Sequence, residues 1–508
     1  MAQKYTHIPA EMFEFVNRDT QIHDEKFKTK PRGYFADAFI RFKKNKSSVV
    51  AAFIIGILIL FSIFSPIVSP YTVNDKDDFY GNFPPFVEAI AKKELGIFDG
   101  AREFRSLNEL AIAKYKAIAV ETGYNPFIGN ATMYQVEEKY RGQPIIETYY
   151  KATLNCYYML GAEFKTISHD EFKKIQEFQD ATGLQVLLPY IADTTAATAA
   201  DAWYMTDSTG KILYDENGNF IPNYSTDATK DGLEEEYTSK RIAGDDGSYI
   251  YSWGKSGSLR VRLCYYNYYQ YVNGRAPTYL MGTDSYGRDL FDAIGTGARF
   301  SLVFAVLVSA INLTIGAIYG AIQGYYGGAI DLAMDRVTDV LSGVPSIVVM
   351  TLFKLHLAQK IGVLPSILFA FVLTGWIGMA ALTRKQFYRF KSQEYVMAAR
   401  TLGASDGRLM FKHIFPNSLG TMVTSCALVI PGVISSETSL TYLGIINLSS
   451  VVGTSVGELM ELGQKAMASA PHAMLFPALF ISLLLISFNL FGNGLRDAFN
   501  PSTRGVDD

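Results

Sequence analysis

Two stretches of this sequence combine residue types whose spacing has a chemical use. The first, Met281-Gly282-Thr283-Asp284-Ser285-Tyr286-Gly287-Arg288-Asp289-Leu290, sets two glycines around acidic and basic groups. Gly282 and Gly287 permit tight turns, and Asp284, Arg288 and Asp289 are spaced to form a local ion-pair cluster. Read alone, this is a loop held in shape rather than a reactive centre. The second runs Glu394-Tyr395-Val396-Met397-Ala398-Ala399-Arg400-Thr401-Leu402-Gly403-Ala404-Ser405 and resumes at Phe411-Lys412-His413-Ile414-Phe415-Pro416-Asn417. Residues 394–402 are good helix formers, and Gly403 is placed to end that helix in a left-handed turn. Ala398 and Ala399 leave one side flat, so another protein's groove can come close. A helix this short has no core of its own. It needs a partner, or it lies on lipid as an amphipathic interface helix.

Reactive chemistry is otherwise scarce. There is no metal-ligand spacing, no nucleophile motif and no Gly-x-x-x-x-Gly-Lys-Ser/Thr phosphate loop, so no catalytic residue, metal or cofactor is expected. Polar residues inside apolar runs are functional candidates by default, and Asn312, Glu437 and Asn489 qualify as a possible substrate pathway. Glu437, close to the outer end of its run, alternatively reaches water. Lys354 and His356 are placed to snorkel to an interface. Cys426 reads as core packing, while Cys156 and Cys264 lie where a disulfide is permitted, although spacing does not show that they meet.

The elements that must position these residues are membrane helices. The average composition, 49% hydrophobic and 19% charged, hides a segregation of apolar runs from a polar middle. A span needs roughly 20 apolar residues, and six runs satisfy this, at about 48–69, 300–323, 333–355, 364–383, 416–443 and 473–493. Gly343 and Pro345 interrupt the third, Pro431 and Gly432 the fifth. Arg41, Lys43, Lys44 and Lys46 before the first run place the N-terminus in the cytoplasm. Arg384, Lys385, Arg389, Lys391, Arg400, Arg408 and Lys412 place the fourth connection there too, which a six-span count independently requires. Residues 72–277 are therefore outside.

That outside segment holds 29 acidic and 21 basic residues and is rich in tyrosine, unlike a disordered linker. Helical periodicity marks residues 101–122 and 168–182. Lys211–Ile221 reads as two strands around an Asp215–Gly218 turn, and Tyr249–Tyr251 and the Tyr265–Tyr271 cluster favour strands. The expected fold is mainly α: a six-helix transmembrane bundle with an inserted extracellular α+β domain. Its parts are a cytoplasmic N-terminal segment 1–47 with an amphipathic helix, a first transmembrane helix 48–71, the outside domain 72–277 and an extracellular amphipathic lead-in 278–299. A five-helix core 300–498 with a cytoplasmic loop 384–415 follows, then a cytoplasmic tail 499–508.

The second stretch resembles the coupling motif of ABC importer permeases at Glu394, Ala398, Ala399 and Gly403, with Tyr395, Leu402 and Ala404 alongside. The first looks like the Leu-Gly-Thr-Asp-x-x-Gly-Arg-Asp signature of the C-type subunit of oligopeptide/dipeptide permeases, at Gly282, Thr283, Asp284, Gly287, Arg288 and Asp289. Arg41–Lys46, Phe64–Tyr71, Gly324–Gly328 with Asp331, Asp335–Asp339 and Leu495–Asp497 also match, so the resemblance covers about 34–71 and 279–501. It implies an ATP-driven peptide importer in the cell membrane. Its partners would be a homologous B-type permease, two cytoplasmic ABC ATPases gripping the coupling helices, and an extracellular peptide-binding lipoprotein, with no nucleic acid. The chain departs from the family at the 72–277 domain, at Asn493 before Gly494, and at Leu440-Thr441-Tyr442-Leu443-Gly444-Ile445-Ile446. Alternatives are the same machinery importing a metal chelate or other small solute, or a surface receptor or sensor derived from it.

Overall fold

The computed structural model describes residues 34–91, 96–140, 143–189, 213–218, 221, 251–253 and 257–499. Helix α1 (Tyr34–Lys44) turns Ala38 and Phe42 inward, Phe42 meeting Phe491 edge-on at 5.5 Å, and exposes Phe39 and Ile40. Asn45 then caps α2 (Lys46–Val68) by accepting from the Ser48 amide. One face of α2 carries Ser48, Ala51, Ile55, Leu58, Ser62 and Ser65, all buried; Phe53, Leu60, Phe64 and Ile67 point away from the bundle. Two of the buried serines sit where partner helices have glycine. Ser48 lies against Gly494 and Ser65 against Gly295, each in space that a Cβ would occupy. Small residues at helix contacts let backbones approach closely in a membrane, where apolar surface alone gives little preference for one neighbour.

Among the described residues, five helices are long and apolar enough to cross a membrane, six if a bent pair counts as one. They are α2, α6 (Leu290–Tyr326), α9 (Val363–Lys391), α11 (Asp406–Tyr442) and α13 (Pro471–Phe499); the bent pair is α7 (Gly328–Ser342) and α8 (Ser346–Ile361), meeting at 72°. The third expected span is thus two helices, broken where Pro345 forces residue 344 out of helical conformation. Pro431, by contrast, lies inside an unbroken α11. Within the stretch 278–299, α6 already begins at Leu290. At a π-helical turn, Phe353–Leu357, the Phe353 carbonyl accepts both the Ala358 amide and the Ser366 hydroxyl, the latter at 2.7 Å. The Lys354 ammonium, expected at an interface, instead donates to the Ile445 carbonyl.

A close glycine contact joins α6 to α9. Gly316, Gly320 and Gly324, one turn apart, face Trp376, Ala380 and Arg384, whose carbonyl oxygens occupy the space of any Cβ; Thr383 and Phe387 fill the remainder.

Between the first two spans, β1 (Phe86–Val87) pairs antiparallel with β9 (Thr278–Tyr279), so the insert's two ends lie side by side. Beyond this stem stand a three-stranded sheet, β2 (Ala101–Leu107), β4 (Gln143–Asn155) and β3 (Thr132–Tyr140) in that spatial order, and a second sheet. The second sets β8 (Ser258–Cys264) against β5 (Ala162–Ser168), β6 (Leu187–Leu188) and β7 (Ser252–Trp253). Helices α3 (Glu109–Thr122), α4 (His169–Thr182) and α5 (Tyr265–Asn273) complete it. Ser168 caps α4, its hydroxyl accepting from the Glu171 amide. Residues 101–107 form a strand rather than the start of a helix, because β4 offers them a partner ladder. The Tyr265–Tyr271 cluster is helical, against its strand propensity: helical spacing sends Tyr266 and Tyr269 into one aromatic cluster and Tyr268 into another. The Asp215–Gly218 turn closes with a 3.0 Å bond, and the Ile221 amide donates to the Leu213 carbonyl at 3.2 Å across it; residues 1–33, 211–212, 219–220, 249–250 and 500–508 fall outside the described residues.

No disulfide joins Cys156 and Cys264. Cys156 opens a one-turn helix under Asn155, Cys264 ends β8 opposite Ala162, and aromatic side chains pack around both. Burial pushes the Cys156 thiol up to about 12.

Candidate functional site

The first motif is a buried knot, not a surface. Gly282 and Gly287 hold φ of +78° and +70°; a Cβ on either would strike the Phe83 or Asp77 carbonyl. Thr283 exchanges bonds with Phe83, its amide donating to the Phe83 carbonyl (2.9 Å) and its Oγ1 accepting from the Phe83 amide (2.8 Å). Asp284 accepts from the Tyr286 and Arg288 amides and pairs with the Arg288 Nε at 2.7 Å. Arg288, 2% exposed, also donates to the Gly453 carbonyl and lies 3.8 Å from Glu458. Glu458 belongs to α12 (Val456–Lys465). Burial raises its carboxyl, with Arg288 pulling the other way. Asp289, expected from the sequence to share this cluster, instead caps α6 through the Phe291 and Asp292 amides and accepts the Ser69 hydroxyl at 2.9 Å. Burial pushes its carboxyl up to about 6. The six residues thus tie the end of α2, the base of the insert, α6 and α12 into one joint. Such a joint positions helices; it offers a solute nothing to bind.

The second motif is exposed. Helix α10 (Glu394–Thr401) ends in two bonds, Gly403 amide to Arg400 carbonyl and Ala404 amide to Ala399 carbonyl, with Gly403 at φ +81°. That pair is the Schellman arrangement, so the predicted left-handed stop is present. Val396, Ala399 and Ala404 pack on Tyr325, Phe387, Leu409 and Ile414. Glu394, Tyr395, Met397, Ala398, Leu402 and Gly403 face away, Leu402 being 89% exposed. An apolar side chain presented so openly beside a flat alanine surface marks a contact face.

Polar ties fasten this helix to the spans. The Tyr325 hydroxyl donates to Asp406 at 2.6 Å and accepts from Arg400 at 3.4 Å, and the Lys391 ammonium donates to the Gly324 carbonyl at 3.1 Å. Arg384 contacts both oxygens of Asp331, at 2.7 and 2.8 Å, and donates to Asp335 at 2.9 Å; the Tyr388 hydroxyl also donates to Asp331. Two-pronged Arg–carboxylate contact fixes geometry as well as charge. These ties connect the ends of α6, α7 and α9.

Of the three pathway candidates, Asn312 lines a cavity. That cavity, about 600 Å³, lies where α8 leaves the break and meets α6, α9 and α11. Glu437 is 1% exposed and accepts the Ser301 hydroxyl at 2.7 Å, on the opposite side of α11. Asn489 is exposed on α13 and donates to its own helix at the Leu485 carbonyl. Local hydropathy identifies a polar residue in a span but not the direction it faces. Sequence reasoning missed Ser435, Ser436 and Ser439, which do line the cavity. Their signal was the one-face spacing with Gly432. The Gly316, Gly320, Gly324 series was equally visible and equally passed over. Among the described residues, no group of acidic, histidine or cysteine side chains could hold a metal.

Residues 313–505 match the family described as binding-protein-dependent transport system inner membrane component, and residues 33–85 match the N-terminal TM domain of oligopeptide transport permease C. The oligopeptide transport system permease protein OppC of Bacillus subtilis is 40% identical over 223 residues, 44% of this chain and 72% of that protein. The dipeptide transport system permease protein DppC of the same organism is 38% identical over 224 residues, 44% of this chain and 68% of that protein. Among solved structures, an inward-facing MetNI methionine ABC transporter aligns with a TM-score of 0.33 at 13% identity, over 41% of this chain and 96% of that one.

Proposed function

This chain belongs to the family of binding-protein-dependent transport system inner membrane components, and from that premise we infer that it is a permease subunit importing peptides at the expense of ATP hydrolysed elsewhere. The peptide assignment follows relatives named for oligopeptide and dipeptide transport. A homologous permease completes the translocation path, two ATPases bind from the cytoplasm, and a binding protein delivers peptide from outside. The termini and α10 lie on the cytoplasmic side, in keeping with Arg384, Lys385, Arg389 and Lys391 at that end of α9. Residues 72–277 then lie outside as an inserted domain, offering a platform to the binding protein.

The observation that carries the coupling assignment is α10 itself, fastened to the spans on one side and bare on the other, with Leu402 89% exposed. Glu394, Tyr395, Ala398, Leu402 and Gly403 present the face an ATPase would grip, while Ala399 and Ala404 pass its movement inward. Transport then needs two states of the bundle close in free energy, with the ATPases biasing one.

Reconstitution in vesicles with the partner permease, ATPases and binding protein tests this reading. ATP-dependent peptide uptake is expected, and its absence for every peptide tried would sink the assignment. In the same vesicles Gly403→Val, which forces a branched residue into a left-handed turn at about 1–2 kcal/mol, and Glu394→Ala should each lower uptake at least about ten-fold, roughly 1.4 kcal/mol of coupling, while ATP hydrolysis continues.

A further inference from the structure

We propose that the cavity at the broken span is a contact site for the main chain of the transported peptide, reading amide groups without selecting side-chain charge. The inference rests on the peptide reading above. Its basis is the chemistry of the wall. The volume, about 600 Å³, falls in the range of ligand pockets, and every polar residue lining it is neutral: Asn312, Ser346, Thr374, Ser435, Ser436 and Ser439. Apolar surface from Met350, Phe371 and Leu440 completes it.

Asn312 supplies the independent sign of a ligand. It is 3% exposed, yet its Oδ1 has no hydrogen-bond partner, and it lines the cavity with Gly375 pressed against its amide group. A buried amide oxygen left unpaired is unfavourable, and a donor entering the cavity would relieve it. A peptide N–H is such a donor.

The α11 wall completes the match. Gly432, Ser435, Ser436 and Ser439 fall at i, i+3, i+4 and i+7, on one helix face, while Glu437, Thr438 and Thr441 are buried on the other. Hydroxyls donate and accept alike, so a serine row serves both the N–H and C=O groups of an extended chain. A charged peptide side chain finds no counter-charge here, and none that repels it.

The test changes the charge of that row. Uptake of Ala-Ala-Ala, Ala-Lys-Ala and Ala-Glu-Ala is measured in vesicles holding the whole complex, for the native chain and for Ser436→Asp and Ser436→Lys. Each variant is compared with native peptide by peptide, which cancels the binding protein's own preference. Ser436→Asp should shift the Lys-to-Glu uptake ratio upward by about ten-fold and Ser436→Lys downward by a similar factor. Co-purification of the partner subunits checks assembly, and Ser439→Asp with Ser439→Lys is the second pair should the first not assemble. Ratios unchanged within two-fold in an assembled, transporting complex overturn the inference alone. No uptake by the native complex overturns the peptide reading and the inference with it.

Discussion

The Asp289 carboxylate caps α6 and accepts the Ser69 hydroxyl at once, and burial still raises its pKa from 3.8 to about 6. The folded state therefore favours the protonated acid. Its contribution to stability is full below pH 4 and is lost as the pH rises through about 6, a difference on the order of 2–3 kcal/mol. An asparagine at this position would cap α6 nearly as well without ionising. Asp289→Asn should accordingly melt increasingly above the native chain in detergent as pH climbs from 4 to 7; an offset independent of pH would refute the account. At this scale the sequence was partly legible. The Asp284–Arg288 pair follows from spacing alone, and Gly403 from the helix that precedes it. Glu458, the second acid near Arg288, comes from a helix far along the chain, and no local pattern announces it.

Helix contacts obey a different logic, set by how near two backbones come. At Gly320 a Cβ would strike the Ala380 carbonyl and lie 2.8 Å from Thr383 Cβ, whereas at Gly378 nothing lies within 4 Å. Gly320→Ala should destabilise the detergent-solubilised chain by about 1–3 kcal/mol through overpacking. Gly378→Ala should be neutral or gain up to ~1 kcal/mol of helix propensity. Equal melting of the two variants would remove the close-contact argument. The spans themselves were legible because hydropathy is a local property. Which prolines break a helix was not: Pro345 follows Gly343 and separates two helices, while Pro431 is embedded in α11 and buried. The α5 tyrosines misled for a related reason, since strand propensity reflects packing opportunities that only the assembled domain provides.

Over the whole molecule, the insert is not a bead on a string. Tyr71, Tyr80, Phe83 and Phe86 from the stem share one aromatic cluster with Tyr157, Tyr266 and Tyr269, Phe86 stacking on Tyr157 at 4.4 Å. The domain boundary placed at 72 therefore cuts through a core, and sequence could not show it because the partners come from both ends of the insert. The far end is separable. Gln135 pairs with Thr148 across β3 and β4, and Ile145 and Ile146 beyond them are exposed. Replacing residues 136–147 by a two-residue turn should change the melting free energy by no more than about 0.5 kcal/mol; a larger loss in thermal unfolding would show the arm to be structural. At the opposite extreme of size stands α6, 37 residues without a break, anchored at one end through Asp289 and at the other through Tyr325. Its glycine contact at Gly320 lies roughly 9 Å from the Tyr326 end and 45 Å from Leu290, at 1.5 Å per residue. A rod clasped that near one end is a lever with unequal arms. A tilt about that fulcrum that moves the short arm by about 1 Å swings the long arm roughly 5 Å the opposite way.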